Sequence, residues 1–392
     1  MDSIRNAISM KHQLVPAGWS RLSGRPISAD MSTCQSGAGD CQRTVHNCTC
    51  RLPVVDLRAR GIALWSEDPV VGAKLSTTLS MRDSAPGVFR IDGTDWPERL
   101  GAALNNLSPI ERISLRGAYL DDSGSCDPWK AVDADSLMAQ ARSPWLPGVL
   151  NERRLICHLQ PIVRADDGST FGFEALARAE VDGRLKNGGE IIDAARAHRA
   201  IFQFDQIART HAIRSCGPKL HGDEKLFVNF LPMVIYDPKI CLQTCWEAAQ
   251  EAGIDISSLV FEVVESEAFP DIAHLKRILG HYQEQGAGVA LDDLGTGHTA
   301  LSYIEELSPN YIKLAKGLIP EKPRFGDLHL VRGIVEHAKR RNVTVLLEGV
   351  ETEEQLCAAK DLGIDLIQGW LTGRPAAEPV RTQTKQQQRH AA

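Results

Sequence analysis

The stretch VALDDLGTGH, residues 289–298, joins an apolar run, two adjacent aspartates and a glycine-rich turn. A short apolar run of this kind is typical of a strand buried on both faces of a parallel sheet. Asp292 and Asp293 repel each other, and holding both carboxylates at the end of such a strand is costly unless positive charge offsets the repulsion. Side chains alternate along a strand, so both can serve one centre only where the pleat breaks, and Gly295 and Gly297 mark that break.

Seven further apolar runs resemble this one, and each ends in polar residues. The eight runs cover 155–163, 171–179, 225–232, 259–266, 288–295, 311–316, 343–350 and 366–373. Amphipathic helices lie between most of them, as at 327–341, where Val331, Ile334, Val335 and Ala338 share one face. Alternating strands and helices in eight units predict an α/β protein with a TIM-type (β/α)8 barrel.

The polar residues that end these runs form the second pattern. In a (β/α)8 barrel the carboxyl ends of the strands meet at one mouth, where active sites lie. The side chains expected there are Glu174, Asn229, Glu262, Asp292, Asp293, Lys313, Glu348, Glu351 and Gln368. One such residue alone is more often a helix cap or a satisfied core group, but a ring of carboxylates repels strongly and requires cations. Oxygen ligands without clustered His or Cys favour Mg²⁺ or Mn²⁺.

Two such ions would give the aspartate pair a role. One aspartate can bridge two ions about 3.5–4 Å apart while the other binds one of them. A paired centre stabilises the attacking and leaving oxygens at phosphorus. Lys313 on the next strand adds positive charge near the water or the phosphate. The residues by themselves therefore favour an anionic phosphodiester as substrate.

The bulk composition limits the alternatives. The chain has 392 residues, of which 43% are hydrophobic and 24% charged, and its net charge is −6. This balance argues against a general binder of nucleic acid or anionic membranes. No run approaches the roughly 18 apolar residues of a spanning helix, and the N-terminus lacks the pattern of a signal peptide. We expect a cytoplasmic protein with no DNA or membrane partner.

A small α/β domain is predicted at 51–122, ahead of the barrel. Its expected strands and helices lie at 61–66, 68–81, 87–92 and 96–107. Asp68 is the expected N-cap of the first helix, and Pro69 follows at the first helical position. Nothing in this domain looks catalytic, so we expect a regulatory role, with a protein partner as one possibility.

The remaining segments connect or flank these domains. The barrel is expected to span 153–379 and to be joined to the small domain through a linker helix at 123–152. Residues 1–50 and 380–392 predict a disordered leader and tail. The leader contains four clustered cysteines, Cys34, Cys41, Cys48 and Cys50. Their spacing matches no standard zinc site, so free thiols and a metal or redox site both stay open.

Seven blocks of the predicted barrel resemble the signature blocks of the EAL-domain family. Along 153–376 they read FEALAR (173–178), VNFLP (228–232), FEVVE (261–265), DDLGTG (292–297), YIK (311–313), EGVET (348–352) and QGW (368–370). That family consists of bacterial phosphodiesterases acting on cyclic di-GMP. The resemblance implies a modified TIM barrel whose first strand is antiparallel to the others. It also implies hydrolysis of cyclic di-GMP to linear pGpG with Mg²⁺ or Mn²⁺.

The resemblance further implies which residues hold two metal ions. The first ion would be held by Glu174, Asn229, Glu262 and Asp292. The second would be held by Asp292, Asp293 and Glu348. Family members that act only as cyclic di-GMP receptors typically lack several ligands, whereas no ligand position is substituted in this sequence.

Catalytic and substrate roles follow from the same resemblance. Glu351 resembles the proposed general base, Lys313 the residue that orients water, and Gln368 the amide near the water and phosphate. Gln160 and Arg178 match positions that contact the substrate, and the Arg178 guanidinium suits a phosphate or a guanine edge. A homodimer is expected from the family alone.

Three positions depart from the family pattern. Leu294 and His298 replace aromatic residues in the loop after the aspartate pair, a loop that Glu265 is expected to anchor. Ala315 stands where the family usually has an aspartate, and Lys316 follows it. The leading hypothesis is an active phosphodiesterase. The alternative is a receptor or scaffold that binds cyclic di-GMP with negligible turnover.

Overall fold

The computed structural model describes residues 61–79, 87–264, 271–294, 300–323 and 328–382. Several predicted features lie outside these ranges. They are the 1–50 leader with its four cysteines, residues 383–392 of the predicted tail, Gly295, Gly297, His298 and Glu265.

The described residues belong to two compact units. One comprises 61–151 and 193–200, and the other comprises 152–192 and 201–382. The domain boundaries drawn from the sequence stay predictions.

The first unit is an antiparallel sheet with helices packed against one face. Its elements in chain order are β1 (Gly61–Trp65), α1 (Pro69–Leu79), β2 (Val88–Asp92), α2 (Trp96–Asn105), α3 (Pro109–Ser114), β3 (Arg116–Tyr119), β4 (Val132–Asp133), α4 (Ala134–Arg142) and α5 (Leu146–Asn151). A 3₁₀ turn at Pro128–Lys130 precedes β4. The strands lie in the order β2–β1–β3–β4. The predicted small domain of strands and helices is therefore present.

Alternation along β1 divides the core of this unit into two layers. Ile62 and Leu64 pack with the buried faces of the helices, while Ala63 and Trp65 contact a second cluster on the other face. At the start of α1, the Asp68 carboxylate accepts the amide hydrogen of Val70 at 2.8 Å, as expected of an N-cap.

The second unit is a closed eight-stranded barrel. Its strands are β5 (Leu155–Arg164), β6 (Thr170–Val181), β8 (Lys225–Asn229), β9 (Leu259–Val264), β10 (Gly288–Leu294), β11 (Tyr311–Leu314), β12 (Thr344–Leu347) and β13 (Leu366–Gln368). A short strand, β7 (Arg184–Lys186), extends β6 as a hairpin outside the ring. The order β5–β13–β12–β11–β10–β9–β8–β6 closes through a β5–β6 pairing. Because β5 is antiparallel to both neighbours, the modified TIM barrel is confirmed.

Helices cover the outside of this barrel. They are α7 (Ile201–Cys216), α8 (Pro238–Cys241), α9 (Gln243–Ala252), α10 (Ile272–Glu284), α11 (Ala300–Leu307), α12 (His329–Arg340) and α13 (Glu353–Leu362). A further helix, α6 (Gly188–Ala197), begins in this unit, and its last residues belong to the first unit. Shorter 3₁₀ turns lie at Gly217–Lys219, Pro232–Val234 and Ile256–Ser258. In α12 the buried residues are the predicted stripe of Val331, Ile334, Val335 and Ala338. The outward faces of the strands and these buried stripes form one continuous core.

Candidate active site at the mouth of the barrel

The polar ring lies one layer above an apolar layer inside the barrel. The apolar layer includes Ile162, Phe227, Val260, Ala290, Leu346 and Leu366. On all six strands, the residue two positions nearer the mouth is polar: Gln160, Asn229, Glu262, Asp292, Glu348 and Gln368. Strand side chains repeat every two residues, so each of these shares the inward face of its apolar neighbour. The strand periodicity therefore brings the predicted residues to one mouth.

The pleat of β10 breaks at Asp293. This residue has φ +58°, in the left-handed region, and the register between β10 and β11 shifts between Leu291 and Leu294. The break brings carboxylate oxygens of Asp292, Asp293 and Glu348 within 4.8 Å of one another. The break predicted at Gly295 and Gly297 lies outside the described residues. Within them, the strand breaks at the second aspartate itself. Aspartate tolerates this conformation better than most side chains.

Lys313 is at the centre of the acidic side chains and is fully buried. Its Nζ lies 2.6 Å from Glu348, 2.9 Å from Glu262, 3.2 Å from Asp292 and 3.6 Å from Glu174. Burial opposes the charge of Lys313, but attraction to the four carboxylates outweighs it and holds the pKa of Lys313 well above its usual value. Lys313 therefore stays protonated and acts as a fixed positive charge and hydrogen-bond donor, not as a base.

One ammonium group does not neutralise this cluster. Burial raises the pKa of Glu262 well above its usual value, and it raises the pKa of Glu348 to about 7. The pKa of Asp292 is raised by burial too. Four carboxylates surround one lysine, and Asp293 adds a fifth beside Asp292 and Glu348. Without a bound cation, the raised pKa values mean that some of these groups are protonated. Such a site favours additional cations.

The oxygens of the ring fit hard metal ions. Glu174 accepts hydrogen bonds from Asn229 Nδ2 at 2.9 Å and from Gln368 Nε2 at 2.8 Å. The buried Oε1 atoms of Glu262 and Gln368 have no hydrogen-bond partner among the described residues. An unpaired buried acceptor is costly, and a cation would satisfy it. Carboxylate and amide oxygens are also the ligand types that Mg²⁺ and Mn²⁺ prefer.

The rim of the mouth contains residues for which the sequence predicted no role in the site. A cavity of about 210 Å³ opens between Glu174 and Glu348 and is bordered by Trp370. Lys316 lies over the Trp370 ring at 5.3 Å, and Arg374 lies over it at 4.0 Å. The side chain of Trp370 is half exposed. Proximity in sequence to predicted site residues was the available signal for this cationic and aromatic rim.

The remaining predicted residues lie nearer the solvent. Glu351 pairs with Lys316 at 2.7 Å on the rim. Gln160 lines the same cavity, and its amide donates to the Gly373 carbonyl at 3.4 Å. Arg178 is half-buried on β6, four residues beyond Glu174. Burial lowers the pKa of Arg178, although the negative charge of Glu174 opposes this effect.

Two of the departures from the family pattern are neighbours. Leu294 and Ala315 are both buried, and the Ala315 amide donates to the Leu294 carbonyl at 3.2 Å. Both changes therefore affect one point, where β10 and β11 end beside the aspartate pair.

A larger cavity, of about 700 Å³, lies at the opposite end of the barrel. It is lined by Arg164, Phe171, Lys339 and Thr344 among others. Thr344 begins β12, whereas the acidic ring lies where the strands end. Size alone would select this cavity. The cluster of carboxylates around the buried Lys313, with its raised pKa values, lies at the other mouth, and we assign the site there.

The fold and this mouth define a TIM-type barrel protein with an acidic site suited to divalent cations. The EAL domain family model matches residues 145–375, which is more than half of the chain. The protein belongs to the EAL domain family.

Individual proteins with similar sequences or structures are known. The chain is 31% identical over 231 residues to the bifunctional diguanylate cyclase/cyclic di-GMP phosphodiesterase MucR of Pseudomonas aeruginosa, covering 58% of this chain and 34% of MucR. The match thus spans about a third of that relative's length. Among solved structures, the PaMucR phosphodiesterase in its c-di-GMP complex aligns with a TM-score of 0.54 and 30% identity over 60% of this chain and 97% of that one.

A second solved structure gives a similar match. It is the c-di-GMP-bound form of a standalone EAL protein from Vibrio cholerae O395, with a TM-score of 0.53 and 30% identity over 58% of this chain and 95% of that one. Within the described ranges, no helix of this protein is long and apolar enough to cross a membrane.

Proposed function

We propose that this protein is a metal-dependent cyclic di-GMP phosphodiesterase that opens its substrate to linear pGpG. The observation that carries the proposal is the acidic ring around Lys313, with Asp292, Asp293 and Glu348 close enough to share an ion. The relatives named above bind or act on this nucleotide and support the substrate assignment.

The proposed metal ligands are the residues named from the sequence. Glu174, Asn229, Glu262 and Asp292 would hold one ion, and Asp292, Asp293 and Glu348 the other. Bound Mg²⁺ or Mn²⁺ would supply charge neutralisation at phosphorus and activation of water.

The protein's own groups would orient and exchange protons. Lys313, kept protonated by its surroundings, would donate hydrogen bonds to the water or phosphate. Glu351 stays the proposed proton acceptor, because it lies on the rim within reach of solvent. Gln368 would hold Glu174 in place by its amide hydrogen bond. Arg178 and Gln160 would contact the substrate, and cytoplasmic location and a homodimer stay predictions.

The alternative is a receptor that binds cyclic di-GMP with negligible turnover. One observation favours it: Leu294 and Ala315 meet beside the aspartate pair, where the family usually has an aromatic residue and an acid. The complete ligand set favours the enzyme.

Product analysis separates the two. Purified protein is incubated with cyclic di-GMP and Mn²⁺, with EDTA as the blank, beside Glu174→Ala and the control Glu180→Ala. Glu180 is exposed on the same strand, so its substitution leaves the mouth unchanged. We expect Mn²⁺-dependent pGpG from the parent and Glu180→Ala but not from Glu174→Ala. Tight binding without product in the parent would establish the receptor instead.

A further inference from the structure

The segment that follows β8 is held from two sides. It begins directly after Asn229, the last residue of β8 and a proposed metal ligand at the mouth. The Phe230 amide donates to the backbone carbonyl of Glu262 at 3.0 Å. The Leu231 amide donates to Asp205 Oδ1 at 2.8 Å. The backbone just after Asn229 is therefore fixed by a carbonyl of β9 and by a carboxylate from α7.

Asp205 is itself oriented by a buried partner one helical turn away. Its Oδ2 accepts from Arg209 Nε at 2.8 Å and Nη2 at 2.7 Å, and only 3% of Asp205 and 2% of Arg209 are exposed. Arg209 Nη1 also contacts Cys245 Sγ at 2.9 Å. This two-point contact leaves Asp205 Oδ1 free to face the Leu231 amide.

The surroundings of the pair are rigid and aromatic. Tyr282 of α10 stacks on Phe261 with ring centroids 3.9 Å apart, and Phe230 lies 5.2 Å from Tyr282. Phe230 and Phe261 are the chain neighbours of Asn229 and Glu262, the proposed ligands on adjacent strands. The ion pair therefore lies near the core between the barrel strands and the surrounding helices, where Cys245 also packs.

Stability alone does not account for this ion pair. Replacing a buried ion pair by apolar residues of similar volume is often neutral or stabilising. What apolar residues cannot provide is an acceptor for the Leu231 amide, two residues from Asn229. Groups that orient metal ligands without touching the metal commonly alter metal affinity by about 10–100-fold.

We propose that Asp205, oriented by Arg209, is a positioning residue that fixes the backbone at Leu231 and so aims Asn229 into the acidic ring. The inference rests on the proposed function only in taking Asn229 as a metal ligand.

Two double variants test the proposal in the full chain. Asp205→Asn with Arg209→Met removes both charges but keeps an oxygen for the Leu231 amide. Asp205→Leu with Arg209→Met removes both charges and the acceptor. If the leucine variant does not fold, Asp205→Ala with Arg209→Met replaces it, because it removes the acceptor without adding bulk. Glu224→Gln is the control, since Glu224 pairs with Arg381 just before β8 begins.

Mn²⁺ affinity is measured on each metal-free protein by electron paramagnetic resonance, together with melting temperature and turnover. We expect the variants without an acceptor to bind Mn²⁺ about 10-fold or more weakly, and the asparagine variant and Glu224→Gln within about 3-fold of the parent. Equal Mn²⁺ affinity in both double variants would overturn the proposal, whether both match the parent or both are weakened alike.

The same experiment separates this inference from the proposed function. A parent protein that binds Mn²⁺ but makes no pGpG contradicts the proposed function, and the affinity comparison still tests the role of Asp205. A parent protein that makes pGpG, with acceptor-free variants that bind Mn²⁺ normally, contradicts the positioning role alone.

Discussion

Replacing Lys313 by methionine should destabilise the metal-free protein far more than replacing Lys316. The two lysines make ion pairs of nearly equal length, 2.6 Å from Lys313 to Glu348 and 2.7 Å from Lys316 to Glu351. They differ in burial, because the Lys313 side chain is 1% exposed and the Lys316 side chain 64% exposed. The pair of variants therefore isolates the effect of burial on an otherwise similar contact.

The magnitude follows from the number of charges left without a partner. Removing Lys313 leaves four nearby carboxylates without their shared cation. Breaking a buried ion pair from one side costs about 3–5 kcal/mol, whereas a surface pair contributes about 1 kcal/mol or less. For a unit of this size, 1 kcal/mol corresponds to roughly 2–4 °C in melting temperature. We expect a loss of roughly 6–20 °C for Lys313→Met and a few degrees at most for Lys316→Met.

The assay is thermal unfolding at pH 8 and at pH 5.5, with EDTA and with excess Mn²⁺. At pH 5.5 protons replace the missing ammonium charge, so the deficit of Lys313→Met should shrink. Bound Mn²⁺ should also reduce the deficit, because it supplies positive charge to the same oxygens. Equal melting temperatures for the parent and Lys313→Met in EDTA at pH 8 would refute the reasoning, since the carboxylates could not then depend on Lys313.

Three further predictions concern the same mouth. The pKa of Glu348 is about 7 in the folded state, against an ordinary value of 4.5, so Glu348 stabilises the fold fully below pH 4.5 and loses this contribution as the pH rises to about 7. Unfolding measured in EDTA should show this loss of stability. The affinity for Mn²⁺ should rise over the same pH interval, because Glu348 must be deprotonated to bind the ion. A methyl group on Gly369 would overlap the carbonyl oxygen of Val350, so Gly369→Ala should lower the free energy of unfolding by roughly 1–3 kcal/mol. The control Gly333→Ala, in open space on α12, should not lower it. Equal denaturation midpoints for the two variants would contradict the clash. Asp293→Asn should melt near the parent, since asparagine also tolerates positive φ, yet bind Mn²⁺ at least about 10-fold more weakly; unchanged calorimetric affinity would remove Asp293 from the ligand set.

Most of the barrel strands could be predicted from the sequence, because burial on both faces requires a recognisable pattern of apolar residues. Each of the eight apolar runs became a barrel strand, since a strand buried on both faces needs apolar residues throughout. The polar interruptions had a spacing that the fold preserves: Ala290 and Asp292 are two residues apart, so they share one face of β10. The reversed direction of β5 came from family resemblance, because strand periodicity is the same in both directions.

Other features depended on contacts between distant residues. The break at Asp293 is a backbone dihedral angle, and its residue type permits that angle without requiring it. Asp205 and Arg209 have the spacing of an ordinary surface pair on a helix, and only the packing of neighbouring helices buries them.

The sequence by itself determined the eight strands, the small domain before the barrel and the set of polar residues at the strand ends. Only the tertiary structure decided which of two lysines three positions apart became the buried centre of the site. Lys313 lies on the inward face of β11 and Lys316 just beyond the strand, so closure of the barrel surrounds one with carboxylates and leaves the other on the rim. The physical reason is that strand alternation is local, whereas burial and charge density exist only once all the strands have met.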